Sequence, residues 1–300
     1  YPDPAYDSQA SVVTGAIALI EAGITNVGAA TIAAGYGGSR LSGGTWAEAG
    51  RTLAARFALA SGDYAKAKSL ATTGIRTTAD DLVTQHGTAQ YNRNLMYQFV
   101  IDQRQDYLVA TDSHLANLLD GTVDRKLATP GNSLIYASYF LADGTPGDPS
   151  YRTLINTNDG GRYSQTSPGP IATYYENELI LAEAEQRLGN DGAALVHLNA
   201  VRTQLAIDYG SDATGFPLST STGATLLTEI MEEKYITLIG ELVSYHDLRR
   251  TGNLIGVPNK TGSTAATAYP QRFLYPQNEV DTNESIPDPL PTFFQPTPLF

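Results

Sequence analysis

Twice in this chain an alanine-rich amphipathic stretch breaks at a glycine followed by Asp or Asn, and then resumes. The first instance reads WAEAGRTLAARFALASGDYAKAKSLATTG, with the break at Gly62-Asp63. The second reads TYYENELILAEAEQRLGNDGAALVHLNAVRTQLA, broken at Gly189-Asn190. Each half is long enough for a helix, and a two-residue break leaves room only for an antiparallel return. Small residues along both halves let the backbones approach closely. One such hairpin cannot bury its apolar face alone, so a repeated hairpin predicts stacking into a mainly α, helix-turn-helix repeat architecture. The expected hairpins occupy 45–75 and 173–206, with Thr45 as N-cap of the first helix and Glu48 in its first turn.

The remaining segments are read around these hairpins. Val12, Val13, Ala16, Ile17 and Ile20 recur at helical spacing, which predicts a helix over residues 11–23 with Gly23 as its stop. Residues 28–44 are Gly-rich and read as loop. A short helix is expected near 112–119, and LIYASYFLA at 134–142 fits either a strand or a buried helical turn. The Gly, Pro, Asn and Asp density between 143 and 170 marks 77–170 as a loop-rich insertion, a kind of segment that often carries function. Apolar residues from Leu226 to Val243 predict one long helix over 225–250. The prolines from Pro258 to Pro298 predict an extended C-terminal wrap over 253–300.

Composition limits the function classes. The chain has 19 Lys+Arg against 31 Asp+Glu, a net charge of −12, and only 5 of the cations are Lys. That balance argues against nucleic acid, which needs a basic stripe, and against a polybasic membrane patch. Cysteine is absent, which removes disulfides, zinc-thiolate sites and thiol nucleophiles. No run of 18 apolar residues occurs, so no membrane-spanning helix is expected. Tyr supplies 18 aromatic residues against 8 Phe and 1 Trp, which suits a wet recognition face.

Catalytic constellations are weak. Glu176, Glu178, Glu183 and Glu185 share one predicted helix, and Glu229, Glu232, Glu233 and Glu241 another. Paired acids could hydrolyse a glycosidic bond, but acids on such helices more often face water or arginines. His246-Asp247 resembles the paired ligands of metal-dependent phosphohydrolases. The other histidines, His86, His114 and His197, are scattered, so no metal and no cofactor is expected. Gly35-Tyr36-Gly37-Gly38 lacks the lysine of a phosphate loop, and Asn156 to Gly160 lacks the spaced acids of a calcium loop.

Three segments together resemble the SusD/RagB family. Tyr174–Arg202, YYENELILAEAEQRLGNDGAALVHLNAVR, is similar to that family's Y-x-E-x-x-L-I-x-A-E-A-x-x-R-L-G followed by A-x-x-x-L-N-x-V-R. Glu233–Gly252, EKYITLIGELVSYHDLRRTG, resembles E-R-x-x-E-L-x-x-E-G-x-R-x-x-D-L-x-R-x-G. Thr237, Leu242 and Ser244 depart from it, standing where an acid, a Gly and an Arg are usual. Arg272–Asn283, RFLYPQNEVDTN, is close to R-x-L-x-P-x-P-x-x-E-I-x-x-N, with Tyr275-Pro276 in place of the fuller Pro-x-Pro. The hairpin at 55–75 is similar to the family's tetratricopeptide-like units.

The resemblance implies a single SusD-like domain over 1–300, with the family's N-terminal part and its lipid-bearing Cys outside this sequence. It implies a non-enzymatic glycan-binding protein on the cell outer membrane, lipid-anchored and surface-exposed, working with a SusC-like TonB-dependent transporter. Peptide cargo in the same machinery, a helical-repeat glycoside hydrolase or lyase, and a pure protein scaffold are the alternatives. Candidate sugar-stacking residues are Tyr36, Trp46, Tyr151 and Tyr163, with Trp46 equally suited to anchor the core. Glu233, Glu241, Asp247 and Arg250 are expected to bridge the scaffold, because a charge on a mostly buried helix needs a partner.

Overall fold

Thr45 opens the first hairpin as a reciprocal cap. Its hydroxyl accepts from the Glu48 amide at 3.2 Å, and the Glu48 carboxylate accepts from the Thr45 amide at 3.2 Å. Helix α2, Trp46–Ala60, starts there. Gly62, at φ +80°, turns the chain, and Asp63 caps α3, Tyr64–Ala71, by accepting from the Lys66 amide. The second hairpin repeats the plan. Thr173 caps α7, Tyr174–Arg187; Gly189 at φ +83° makes the turn; and α8, Asp191–Asp208, returns. A side chain at Gly62 or Gly189 would be strained, because only glycine adopts this left-handed conformation freely.

The computed structural model describes residues 4–32, 40–105, 107–259 and 269–299. Helix α1, Gln9–Val27, precedes the first hairpin and lies along α2. It runs past Gly23, the expected stop, and ends at Gly28 with φ +54°. Gly23 meets no neighbour that would force a break there. Contrary to expectation, α1 is long and apolar enough to cross a membrane, with a mean hydropathy of 1.5 over 18 residues. Isolated Ser, Thr and Glu residues interrupt its apolar run, yet the mean over the helix stays strongly apolar. Ile17 and Ile20 pack inward, while Leu19 is 77% exposed.

The insertion, and the end of the Gly-rich stretch expected to be loop, contain strands that hydrophobic alternation does not reveal, because each spans only two to four residues. Strands β1 (Leu41–Ser42), β2 (Leu82–Thr84) and β5 (Gly169–Ala172) form an antiparallel sheet in the order β1-β2-β5. A shift in register falls between Leu82 and Val83. Strands β3 (Phe140–Asp143) and β4 (Arg152–Ile155) pair separately. The ambiguous stretch at 134–142 is both things in turn: α6, Asn132–Tyr139, runs directly into β3. Two short helices, α4 (Leu95–Tyr97) and α5 (His114–Asp120), complete the insertion, and α4 continues into a π-helical turn at Gln98–Gln103.

The expected single helix over 225–250 is two. Helix α9, Gly223–Thr237, ends before Gly240 at φ +81°, and α10, Leu242–Arg250, restarts after Glu241. The apolar period continues across the break, so periodicity alone cannot see it. The described part of the C-terminal region carries one short helix, α11 (Gln277–Thr282), and Tyr6 packs edge-on to Tyr275 there, donating its hydroxyl to Glu279.

Helix α7 is the axis of the molecule. All ten residues from Glu176 to Glu185 are buried. One side packs with α2 and α3 through Ala54, Ala58, Leu70 and Ile180. The other packs with α5, α6, α8 and α9 through Leu179, Leu198, Val201 and Ile230. Four of those ten residues are acids, each matched from a different direction. Glu176 pairs with Arg56, Glu178 with His197, Glu183 with Lys234 and Arg250, and Glu185 with Lys68. These four of the acids that suggested hydrolytic pairs are therefore internal fasteners of the scaffold.

Candidate functional site

Where α7 and α8 face the β1-β2-β5 sheet, the packing leaves a cavity of about 350 Å³. The insertion, the second hairpin and the α9–α10 junction all contribute to its wall. Asp81 comes from the turn before β2, and Arg162 from the loop before β5. Tyr139 ends α6, Tyr175 starts α7, and Asp208 and Tyr209 close α8. Glu241 enters because Gly240 turns the chain at φ +81° just before it. A Cβ at position 240 would come within 2.8 Å of the Tyr163 hydroxyl, so glycine is required there on two counts.

The polar groups of the cavity differ in how far they are engaged. Tyr139 donates to the Ile236 carbonyl at 3.1 Å, and Tyr175 donates to Asp208 at 2.6 Å. Asp81 accepts one bond, from the Tyr174 amide at 2.6 Å. Glu241 and Arg162 make no side-chain hydrogen bond or ion pair among the described residues.

Burial pushes the Glu241 carboxyl up to about 8, reinforced by the neighbouring Glu176 charge and opposed by Arg56 and Arg162. Burial likewise pushes Asp81 up to about 7, against the Tyr174 amide and Arg162. The tyrosine hydroxyls at 139, 175 and 209 are also raised, chiefly by burial. A half-enclosed space with aromatic walls, unspent acceptors and an unspent guanidinium has the makings of a small-molecule site. Among the described residues no group of three or more His, Asp or Glu side chains is arranged to hold a metal ion.

Of the sequence-derived stackers, none of the described ones lines the cavity. Tyr36 falls outside the described residues. Trp46 is half-buried on the cluster of Ile32, Ala49, Ile75, Leu82 and Ala172, the core-anchor alternative. Tyr151 leads into β4, where its hydroxyl accepts from Thr153. Tyr163 is half-buried behind the cavity wall, against Gly240.

Of the four motif charges, Glu233 accepts from Arg125 at 2.7 Å and Arg202 at 2.8 Å, with all three buried. Asp247 pairs with Lys234, and Arg250 joins Asp247 to Glu183. Glu241 stands apart from these networks and lines the cavity instead. No periodic or spaced signal in the sequence gathers Asp81, Arg162 and Asp208. The Tyr174-Tyr175 pair at a helix start is the nearest clue.

A second feature escaped the sequence reading. The segment 91–108 exposes Tyr91 at 89% and Tyr107 at 75%, with Arg104 set 5.4 Å from the Tyr107 ring centroid. It includes the π-helical turn, a distortion that recurs at functional sites. Asn94 ties it to the loop of the cavity wall, its amide donating to Gln165 O at 2.9 Å and its side chain to Ser167 O at 3.0 Å.

Two helical hairpins gathered on one buried helix, with a polar cavity under a long insertion, define a helical-repeat scaffold fitted with a recognition region. Residues 136–296 match the SusD family, and the chain belongs to it. No curated protein sequence matches the chain.

Solved structures establish the same fold. A SusD homologue from Bacteroides fragilis superposes with a TM-score of 0.67 at 18% identity, over 94% of this chain and 71% of that one. One from Parabacteroides distasonis gives 0.65 at 16%, over 93% and 70%. A chitin-binding protein gives 0.59 at 20%, over 94% and 69%.

Proposed function

We propose that this chain is a non-enzymatic glycan-binding protein of the cell surface. In this reading it is a single domain, held at the outer membrane by a lipid anchor. It captures oligosaccharide or polysaccharide for a SusC-like TonB-dependent transporter. The observation that carries the reading is the cavity itself, on a SusD-family scaffold: tyrosine rings for sugar faces, with Arg162, Asp81 and Glu241 holding unspent donors and acceptors for hydroxyls. The chitin-binding structural neighbour supports a saccharide over other ligands. Tyr91 and Tyr107 supply exposed rings on which a longer chain can lie, and Tyr151 and Tyr163 are secondary candidates.

A glycosidase is the competing reading, because carboxyls raised as far as Asp81 and Glu241 are fit to act as general acids. Calorimetric titration against a panel of soluble glycans, with the same mixtures assayed for new reducing ends, tests both. Saturable binding without new ends, weakened in Arg162→Ala and in Tyr91→Ala/Tyr107→Ala, is the expected result. New reducing ends that vanish in Glu241→Gln would overturn it.

A further inference from the structure

The cavity holds more acidic than basic groups, and among the described residues the surplus has no ion-pair partner. Among the described residues Arg162 is the single cation of the lining, and it is not ion-paired with Asp81, Asp208 or Glu241. Asp208 is already engaged by Tyr175 and Gln204, and Glu176, behind the wall, by Arg56. Asp81 keeps one oxygen free, and Glu241 keeps both. Three carboxyls against one guanidinium leave an open place for a positive charge brought by the ligand. The tyrosine rings favour the same chemistry, since a cation is attracted to an aromatic face. A volume of about 350 Å³ admits a sugar ring and not merely an ion.

We propose that the cavity binds an amine-bearing sugar residue, its ammonium set between Asp81 and Glu241 and its ring against Tyr139, Tyr175 and Tyr209. The inference rests on the glycan-binding reading and adds the substrate class: a glycan with free amino groups. A neutral ring would give Glu241 and Asp81 no charge to ionise against. An acetylated amine would bring bulk without charge.

Proton linkage follows from the same geometry. The charged groups facing Asp81 and Glu241 are Asp80, Asp208, Glu176 with Arg56, and Arg162. In the empty cavity their sum, with burial, holds both carboxyls partly protonated near neutral pH. An entering ammonium drives them to ionise, so binding releases protons, and the measured heat varies with the ionisation enthalpy of the buffer.

The test titrates the 300-residue chain at neutral pH with four probes. These are a β-1,4-linked glucosamine tetramer, its N-acetylated counterpart, the corresponding glucose tetramer, and tetralysine. The glucosamine tetramer is expected to bind about tenfold or more tighter than the other two saccharides. The gap should persist at high salt, where non-specific attraction to a chain of net charge −12 is screened. It should close in Glu241→Gln and in Asp81→Asn, and stay open in the exposed Asp124→Asn, with melting curves verifying that each variant is folded.

Equal binding of the three saccharides overturns this inference and leaves the glycan reading standing. No saccharide binding overturns both. Tetralysine binding as tightly as the glucosamine tetramer refutes the sugar in favour of a peptide amine. A gap that survives both cavity substitutions shows that the amine is read elsewhere, which also overturns the inference.

Discussion

Glu241→Gln should make the ligand-free protein more stable at neutral and alkaline pH, and by an amount that depends on pH. The folded protein holds the Glu241 carboxyl at about 8, against an ordinary value of 4.5. Below pH 4.5 both folded and unfolded chains are protonated there, so the residue costs nothing. Between 4.5 and 8 the unfolded chain ionises first, and stability falls as pH rises, by about 1.4 kcal/mol per pH unit. At pH 7.5 the accumulated loss is about 4 kcal/mol, and above 8 it levels off. Glutamine is the near-isosteric neutral group and escapes this loss.

At roughly 1.5 °C per kcal/mol for a chain of this length, the variant should melt about 6 °C above the parent at pH 7.5. The two should nearly coincide at pH 4. Scanning calorimetry of both proteins from pH 4 to 9 measures the difference directly. A gap in Tm that is the same at pH 4 and pH 8 would refute the reasoning, because Glu241 would then not be the titrating group. The same substitution is expected to weaken amine binding, so the residue trades stability for recognition.

Three further substitutions probe the scaffold. Glu183→Ala removes the acceptor shared by Lys234 and Arg250 and leaves two buried cations with Asp247 as their one shared carboxylate; urea titration should show a loss of about 3–5 kcal/mol. The low-lying Glu183 carboxyl, held down by Arg250 and Lys234, adds stability above its ordinary value that is lost as pH falls, so the gap between parent and variant should narrow toward acid. Gly74→Ala would place a Cβ 2.2 Å from Asn177 Oδ1 and 2.5 Å from Thr52 Oγ1, forcing apart a buried 2.9 Å hydrogen bond; a loss of about 1–3 kcal/mol is expected, and an unchanged urea midpoint would contradict it. Thr45→Ala should cost about 1 kcal/mol by the same assay, through loss of the reciprocal cap.

The helical part of the fold was legible because its signals are local. Thr45 with Glu48, Gly62-Asp63 and Gly189-Asn190 each announce a helix end within four residues of chain, and the structure places the ends there. The break at Gly240 was not legible, since apolar residues at Ile236, Leu238, Ile239 and Leu242 carry the helical period straight through it. The short strands were hidden for a different reason: β1 and β2 exist because distant segments meet, as in Leu41 opposite Thr84, and two or three residues carry no readable alternation.

The cavity was the least legible feature. Asp81, Arg162, Asp208 and Glu241 come from four separate stretches, and only the docking of the insertion on α7 and α8 brings them together. Charge on a family motif also misled at one position. Glu233, Asp247 and Arg250 do sit in buried ion networks, but Glu241 matches the same motif and lines a cavity.

Helices α3 and α7 pack side by side, yet residues 72–173 lie between them in sequence. The insertion thus leaves and rejoins the scaffold at neighbouring points. Lengthening so large a loop by a third raises its closure cost by only about 0.2 kcal/mol. The scaffold is therefore nearly indifferent to how much chain is spliced in there. A lineage could exchange that cassette, with Asp81, Arg162, Tyr91 and Tyr107 on it, and acquire a new diet without having to refold the helices that present it.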